Sequence, residues 1–209
     1  MNLKYLRLGI LGLSLGLGVL AAFTYYFKVT PKSYASAETT KSLPNLGGPF
    51  KLNDQFGKIR TNDEFKGKFM LLYFGYTFCP DVCPLGLQNI GEALRLLGRD
   101  IDQVVPLFIT IDPERDTVEN LKIYATNWHS SFVFLTGTHP ELDPVLKAYK
   151  VYAAKAKPDG TMADYLMDHS ALVYLVDRNG KFVDYFPHTT NPAQMAKLIQ
   201  KQLILSPSK

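Results

Sequence analysis

Residues 68–75, KFMLLYFG, form an almost unbroken apolar run. Apolar residues at successive positions, rather than alternate ones, mark a strand buried on both faces. Such a strand belongs inside a sheet that is covered on both sides, and TFCPDVCP, Thr77 to Pro84, follows it directly. The segment from Leu85 to Leu97 then carries Leu87, Ile90, Leu94 and Leu97 at helical spacing, with Gly98 as a stop signal. The run therefore reads as a buried strand that feeds a cysteine loop, which in turn opens a helix.

The same alternation continues. Val104–Ile111 and Phe132–Leu135 read as further strands, and Asp116–Trp128 and Pro140–Tyr149 as helices. Pro49–Arg60 predicts a leading hairpin with turn signals at Asn53-Asp54 and Gly57. A second hairpin, Tyr152–Ala156 with Ala163–Met167, turns at Pro158-Asp159-Gly160. A third, Ala171–Val176 with Lys181–Phe186, turns around Asn179-Gly180, a strong short-turn signal. Asn191 caps a last helix, with Pro192 at its first position. The expectation is an α/β, thioredoxin-like fold over residues 48–206. It has a mixed sheet flanked by helices and an added N-terminal β-hairpin.

The N-terminus is of another kind. After a short basic stretch, residues 1–7, the segment from Leu8 to Phe27 holds no charge. Twenty helical residues span about 30 Å, the thickness of a bilayer's hydrocarbon core. Residues 8–27 are thus expected to form one transmembrane helix and residues 28–47 a polar linker. A cleaved signal peptide is the alternative, with Ala35-Ser36-Ala37 as a possible cleavage site. Lys4 and Arg7 ahead of the span suit an N-in anchor with the domain on the far side. The net charge is +4, two of it from Lys4 and Arg7, and no Lys/Arg block occurs, so nucleic-acid binding has no support.

Cys79 and Cys83 are the only cysteines. A disulfide between them would close a very short loop and add little stability. Two functional readings remain. Pro84 suits the first position of a helix, which puts Cys83 at or beside the N-cap, where the helix dipole favours its thiolate. That suits a redox couple, although thioredoxin-type reductases separate their cysteines by two residues rather than three. Such enzymes also place a cis-proline before the strand of the C-terminal hairpin. Here the corresponding residues are Asp168-His169-Ser170. Two thiolates and the His169 imidazole would make a soft, open, three-ligand metal site suited to copper, as Cu(I) or Cu(II), and less exclusively to zinc. His129, His139 and His188 carry no comparable signal and read as surface residues.

At FGYTFCPDVCP (74–84), FITIDPERDT (108–117) and YLMDHSALVYLVDRNGKF (165–182) the chain resembles the Sco/SenC family of copper chaperones for cytochrome c oxidase. GGPFKLNDQFGK (48–58) also fits the family's entry to the domain, and the resemblance covers the chain beyond the linker. It implies copper binding by Cys79, Cys83 and His169. It also implies delivery to the CuA centre of oxidase subunit II, with an upstream copper donor. Asp81 and Asp168 flank the ligands and could hydrogen-bond the imidazole. Asp112–Asp116 reads as turn and helix-start geometry, and Tyr73, Phe74, Tyr76 and Phe78 chiefly as packing.

Other functions stay open. A thiol–disulfide oxidoreductase that reduces the subunit II cysteines would use the same thiols but would not need His169. A copper or redox sensor, or a peroxiredoxin-like peroxidase (suggested by Thr77-Phe78-Cys79-Pro80), would use some of the same loop. The anchor, with no room before it for a transit peptide, points to a bacterial inner membrane with the domain in the periplasm. The alternative is the mitochondrial inner membrane, facing the intermembrane space.

Overall fold

The computed structural model describes residues 45–157 and 164–207. The expected transmembrane segment, 8–27, and all but the end of the linker lie outside these residues. Among the described residues no helix is long and apolar enough to cross a membrane.

A seven-stranded mixed sheet has the order β2 (Ile59–Thr61), β1 (Lys51–Asp54), β5 (Val133–Thr136), β4 (Val104–Thr110), β3 (Phe69–Gly75), β8 (Leu172–Val176) and β9 (Phe182–Pro187). Inside it lies β3, every residue of which is buried. It runs parallel to β4 (Val104–Thr110) on one side and antiparallel to β8 (Leu172–Val176) on the other. This double flanking explains why the sequence of β3 is apolar without alternation. Beyond β4 lies β5 (Val133–Thr136), parallel to it. β5 in turn pairs antiparallel with β1 (Lys51–Asp54), which forms the leading hairpin with β2 (Ile59–Thr61). Asp54 Oδ1 holds that turn by accepting the N–H groups of Phe56 and Lys58.

Among the described residues there are four α-helices. They are α1 (Val82–Leu96), α2 (Val118–Ala125), α3 (His139–Ala148) and α4 (Pro192–Leu205). α1 and α4, the first and last, pack against each other. The Asn191 side chain caps α4 by accepting from Ala193 and Gln194 N–H. β9 (Phe182–Pro187) returns from β8 through a turn at Gly180, whose φ of 81° suits glycine. A separate two-stranded sheet pairs β6 (Ala153–Ala156) with β7 (Leu166–His169).

Four local expectations are corrected. The first helix begins at Val82, with Asp81 as its N-cap, so Pro84 is its third residue and not its first. The second begins at Val118; Asp116 precedes it and is buried, because its carboxylate binds inward. The middle hairpin's second strand, expected to end at Met167, is Leu166–His169 and ends two residues further on; Ala163 and the expected turn lie outside the described residues. The linker's last residues belong to the domain, since Gly47 N–H bonds to Ala148 O and Leu46 packs on the core.

Candidate metal centre

The carboxyl end of β3 delivers the chain to the cysteine loop. Gly75 ends the strand beside the first turn of α1. A Cβ there would lie 2.8 Å from Cys83 Sγ and 2.9 Å from the Phe108 ring, so only glycine leaves room for the sulfur. Gly86, a turn further along α1, is needed for the same reason: a Cβ there would lie 2.7 Å from the Tyr73 ring. Tyr73 donates its hydroxyl to Val82 O at 3.2 Å and so ties the strand to the start of the helix. Burial pushes the Tyr73 phenol well above its ordinary range and keeps it a donor.

The two cysteines are not joined in a disulfide; Cys83 is wholly enclosed and Cys79 is 8% exposed. The Cys83 N–H donates to Cys79 Sγ at 3.3 Å. This reverses the expected roles. Because α1 starts at Val82, the Cys83 amide is one of the unpaired N–H groups of the first turn. It points back at the preceding loop, so the helix terminus serves Cys79. Cys79 is the thiolate, held down to about 3 chiefly by hydrogen bonding from the Cys83 thiol, with further help from His169 and backbone N–H groups. Cys83 is the thiol of the pair. Donating to the Cys79 sulfur and burial both push it far above its ordinary range.

His169 comes from elsewhere in the fold. It is the last residue of β7, opposite Ala153 in the two-stranded sheet, and stands just before β8, as expected. Its Nε2 lies 3.4 Å from Cys83 Sγ, its Nδ1 lies 3.3 Å from Ser170 O, and the Tyr76 ring meets it edge-on at 5.9 Å. One ligand atom from each of Cys79, Cys83 and His169 lies within 4.8 Å of the others. Thiolate and imidazole bonds to a zinc-like ion run about 2.0–2.3 Å, so ligands sharing one ion sit within about 4.6 Å of each other. The three residues therefore fit a single soft ion once their side chains draw together.

The other singled-out residues separate cleanly. Asp81 and Asp168 are exposed, and neither bonds to the imidazole among the described residues; the backbone carbonyl of Ser170 takes that place. His139 lies beside Glu114 and Asp143, His129 accepts from Ser131 N–H, and His188 lies near Ala171 O, none of them at the cysteine loop.

This geometry has relatives. A family model described as SCO1/SenC matches residues 38–204. The SCO2-like protein RP587 of Rickettsia prowazekii is 35% identical over 192 residues, 91% of this chain and 94% of that one. The chain belongs to the SCO1/SenC family. ScoI of Bradyrhizobium japonicum, solved with copper bound, is 44% identical, with a TM-score of 0.69 over 75% of this chain and 98% of that one. BsSco is described as a member of the Sco family of cytochrome c oxidase assembly proteins, with a disulfide switch. It is 26% identical, with a TM-score of 0.63 over 81% of this chain and 98% of that one.

In this SCO1/SenC protein a polar layer lies behind the cysteine loop. Asp116 is fully buried. Its carboxylate accepts the Thr77 N–H and hydroxyl, the latter at 2.5 Å, and the Thr110 hydroxyl at 2.6 Å. Burial pushes the Asp116 carboxyl up, and the Thr110 and Thr77 hydrogen bonds pull it back. It braces Thr77, two residues before Cys79. The only signal available was the segment FITIDPERDT, whose acids look alike in sequence.

Proposed function

We propose that this protein binds one copper ion through Cys79, Cys83 and His169 and delivers it to the CuA centre of cytochrome c oxidase subunit II. The observation that carries the reading is the meeting of two sulfurs and one imidazole within 4.8 Å at the rim of a thioredoxin-like domain. Two thiolates select a soft ion, and the imidazole makes the set serviceable for both copper oxidation states. Three protein ligands leave a position open, through which an acceptor's ligand enters before a donor's ligand leaves. Each exchange then keeps the ion coordinated. Cys79, already ionised and slightly exposed, receives the ion first; Cys83 gives up its proton as it joins.

Membrane anchoring through residues 8–27, with the domain facing the periplasm, completes the proposal, since the acceptor centre lies outside the membrane. The upstream donor is a second partner.

A second reading has its own support. The two reduced sulfurs are close, one a thiolate and the other a thiol, as a thiol–disulfide oxidoreductase requires. It would reduce the subunit II cysteines by forming a Cys79–Cys83 disulfide.

The deciding experiment is anaerobic titration of the reduced domain, starting near Leu43, with cuprous and cupric ions, as parent and as His169→Ala. One copper per chain, with cupric binding lost in the variant, is the expected result. Weak copper binding, or an unaffected variant that still reduces disulfides, would give the oxidoreductase reading first place.

A further inference from the structure

His169 sits on a two-stranded sheet that is separate from the seven-stranded one. Something must hold this hairpin against the cysteine loop. Arg115, in the connection between β4 and α2, touches all the segments concerned. Its Nε bonds to Asp112 Oδ2, a side chain with no exposure, and its Nη1 donates to Tyr165 O at 3.0 Å, next to the start of β7. The guanidinium carbon lies 3.7 Å from the centre of the Tyr165 ring and 4.7 Å from that of Phe78, the residue before Cys79. Tyr165 closes the circuit by donating its hydroxyl to Asp112 at 2.8 Å.

We propose that Arg115 is a positioning residue that clasps the β6–β7 hairpin, and with it His169, onto the cysteine loop. The planar guanidinium can bond along its edge and stack on its faces at once. It therefore joins Asp112, the Tyr165 backbone and the Phe78 side chain with one group. The arrangement costs free energy, because Arg115 Nη2 is buried without an acceptor among the described residues. The buried ion pair and the stacking offset that cost. The exposed Lys155–Glu114 pair at 2.6 Å joins the same two segments but is open to solvent and weak.

The clasp separates two kinds of metal binding. Cys79 and Cys83 share one loop and one helix end and stay together without it; His169 does not. Binding that needs the imidazole depends on Arg115, and binding by the thiolates alone does not. The metal-binding half of this inference rests on the proposed copper site, whereas the hairpin's attachment can be tested without metal.

The test is Arg115→Lys in the full chain, which keeps the charge and loses the fork. In the metal-free protein, amide exchange of Ser170 and the β7 strand should quicken about tenfold, with the β3 amides unchanged. Cupric affinity should fall about tenfold or more, the usual range when a residue supporting a ligand is lost, with cuprous affinity near the parent's. In a His169→Ala background, Arg115→Lys should make no further difference to cupric binding. Unchanged exchange in β7, equal losses for both ions, or a loss that persists without His169 would each overturn the clasp. If Arg115→Lys does not fold, Tyr165→Leu, which removes the stacked ring and the bond to Asp112, must give the same pattern. A parent that binds no copper would sink the metal reading and leave the exchange result to decide the clasp.

Discussion

Cys83 Sγ and His169 Nε2 lie 3.4 Å apart, although 86 residues separate them in the chain. One is set by the first turn of a helix packed under β3, the other by the end of a small hairpin. The centre is thus built from a rigid half and an attached half, and the variants below act on one or the other.

The first prediction concerns which sulfur is ionised. Cys79 is held down to about 3, and Cys83 is pushed far up. In the metal-free reduced protein, the alkylation rate at Cys79 should stay flat from about pH 8 down to about pH 5. An ordinary thiol slows about tenfold per unit there. Cys83 should resist alkylation throughout. The linkage sign follows. Lowering the Cys79 pKa on folding adds stability that is complete above the unfolded thiol's pKa and declines as pH falls toward about 3. The raised pKa of Cys83 acts oppositely and adds stability that is lost at high pH. Mass-resolved alkylation against pH checks the assignment; a tenfold-per-unit slope at Cys79 would refute it.

Gly75→Ala should disturb the rigid half. The new methyl group meets Cys83 Sγ at 2.8 Å and Phe108 at 2.9 Å, and both neighbours are fully buried. Forcing a methyl group into a packed core costs about 1–3 kcal/mol. Urea denaturation should show that loss, and cuprous binding should weaken with it because Cys83, a proposed ligand, is displaced. A variant as stable as the parent would mean that the sulfur moves freely, contrary to its enclosure.

The halves also differ in how far the sequence disclosed them. β3 was legible because a strand buried on both faces writes itself as continuous apolar residues, and Asn179-Gly180 because its turn needs a positive φ. The nearness of His169 to the cysteines followed from topology, since the hairpin before β8 had to end near the loop after β3. The helix start at Val82 was hidden. Pro84 fits any position of a first turn, since none of those N–H groups has a partner within the helix. That shift of two residues exchanged the expected roles of the two sulfurs. Asp116 and Arg115 were hidden for a different reason: adjacent charged residues in a loop carry no sign of which one turns inward.

Asp168→Asn tests a role that geometry does not favour. The aspartate stands next to His169 in sequence but is exposed, and the imidazole Nδ1 faces Ser170 O instead. Copper affinity in both oxidation states should match the parent's. A loss of tenfold or so, the usual effect of removing a ligand's hydrogen-bond partner, would show that the carboxylate turns inward when the ion is bound.

Asp116→Ala should act on the loop from behind. The substitution leaves the Thr77 N–H and hydroxyl, which are half-buried, and the buried Thr110 hydroxyl without their acceptor. Stranded buried polar groups cost about 1–3 kcal/mol. Asp116→Asn keeps one acceptor oxygen and should lose less. Thr77 stands two residues before Cys79, so cuprous affinity should fall in the same order: parent, Asn, Ala. Denaturation midpoints and anaerobic cuprous titrations on the three proteins check both scales together. If the Ala variant loses stability while its affinity stays at the parent's level, Asp116 supports the fold alone, and the cysteine loop keeps its shape without it.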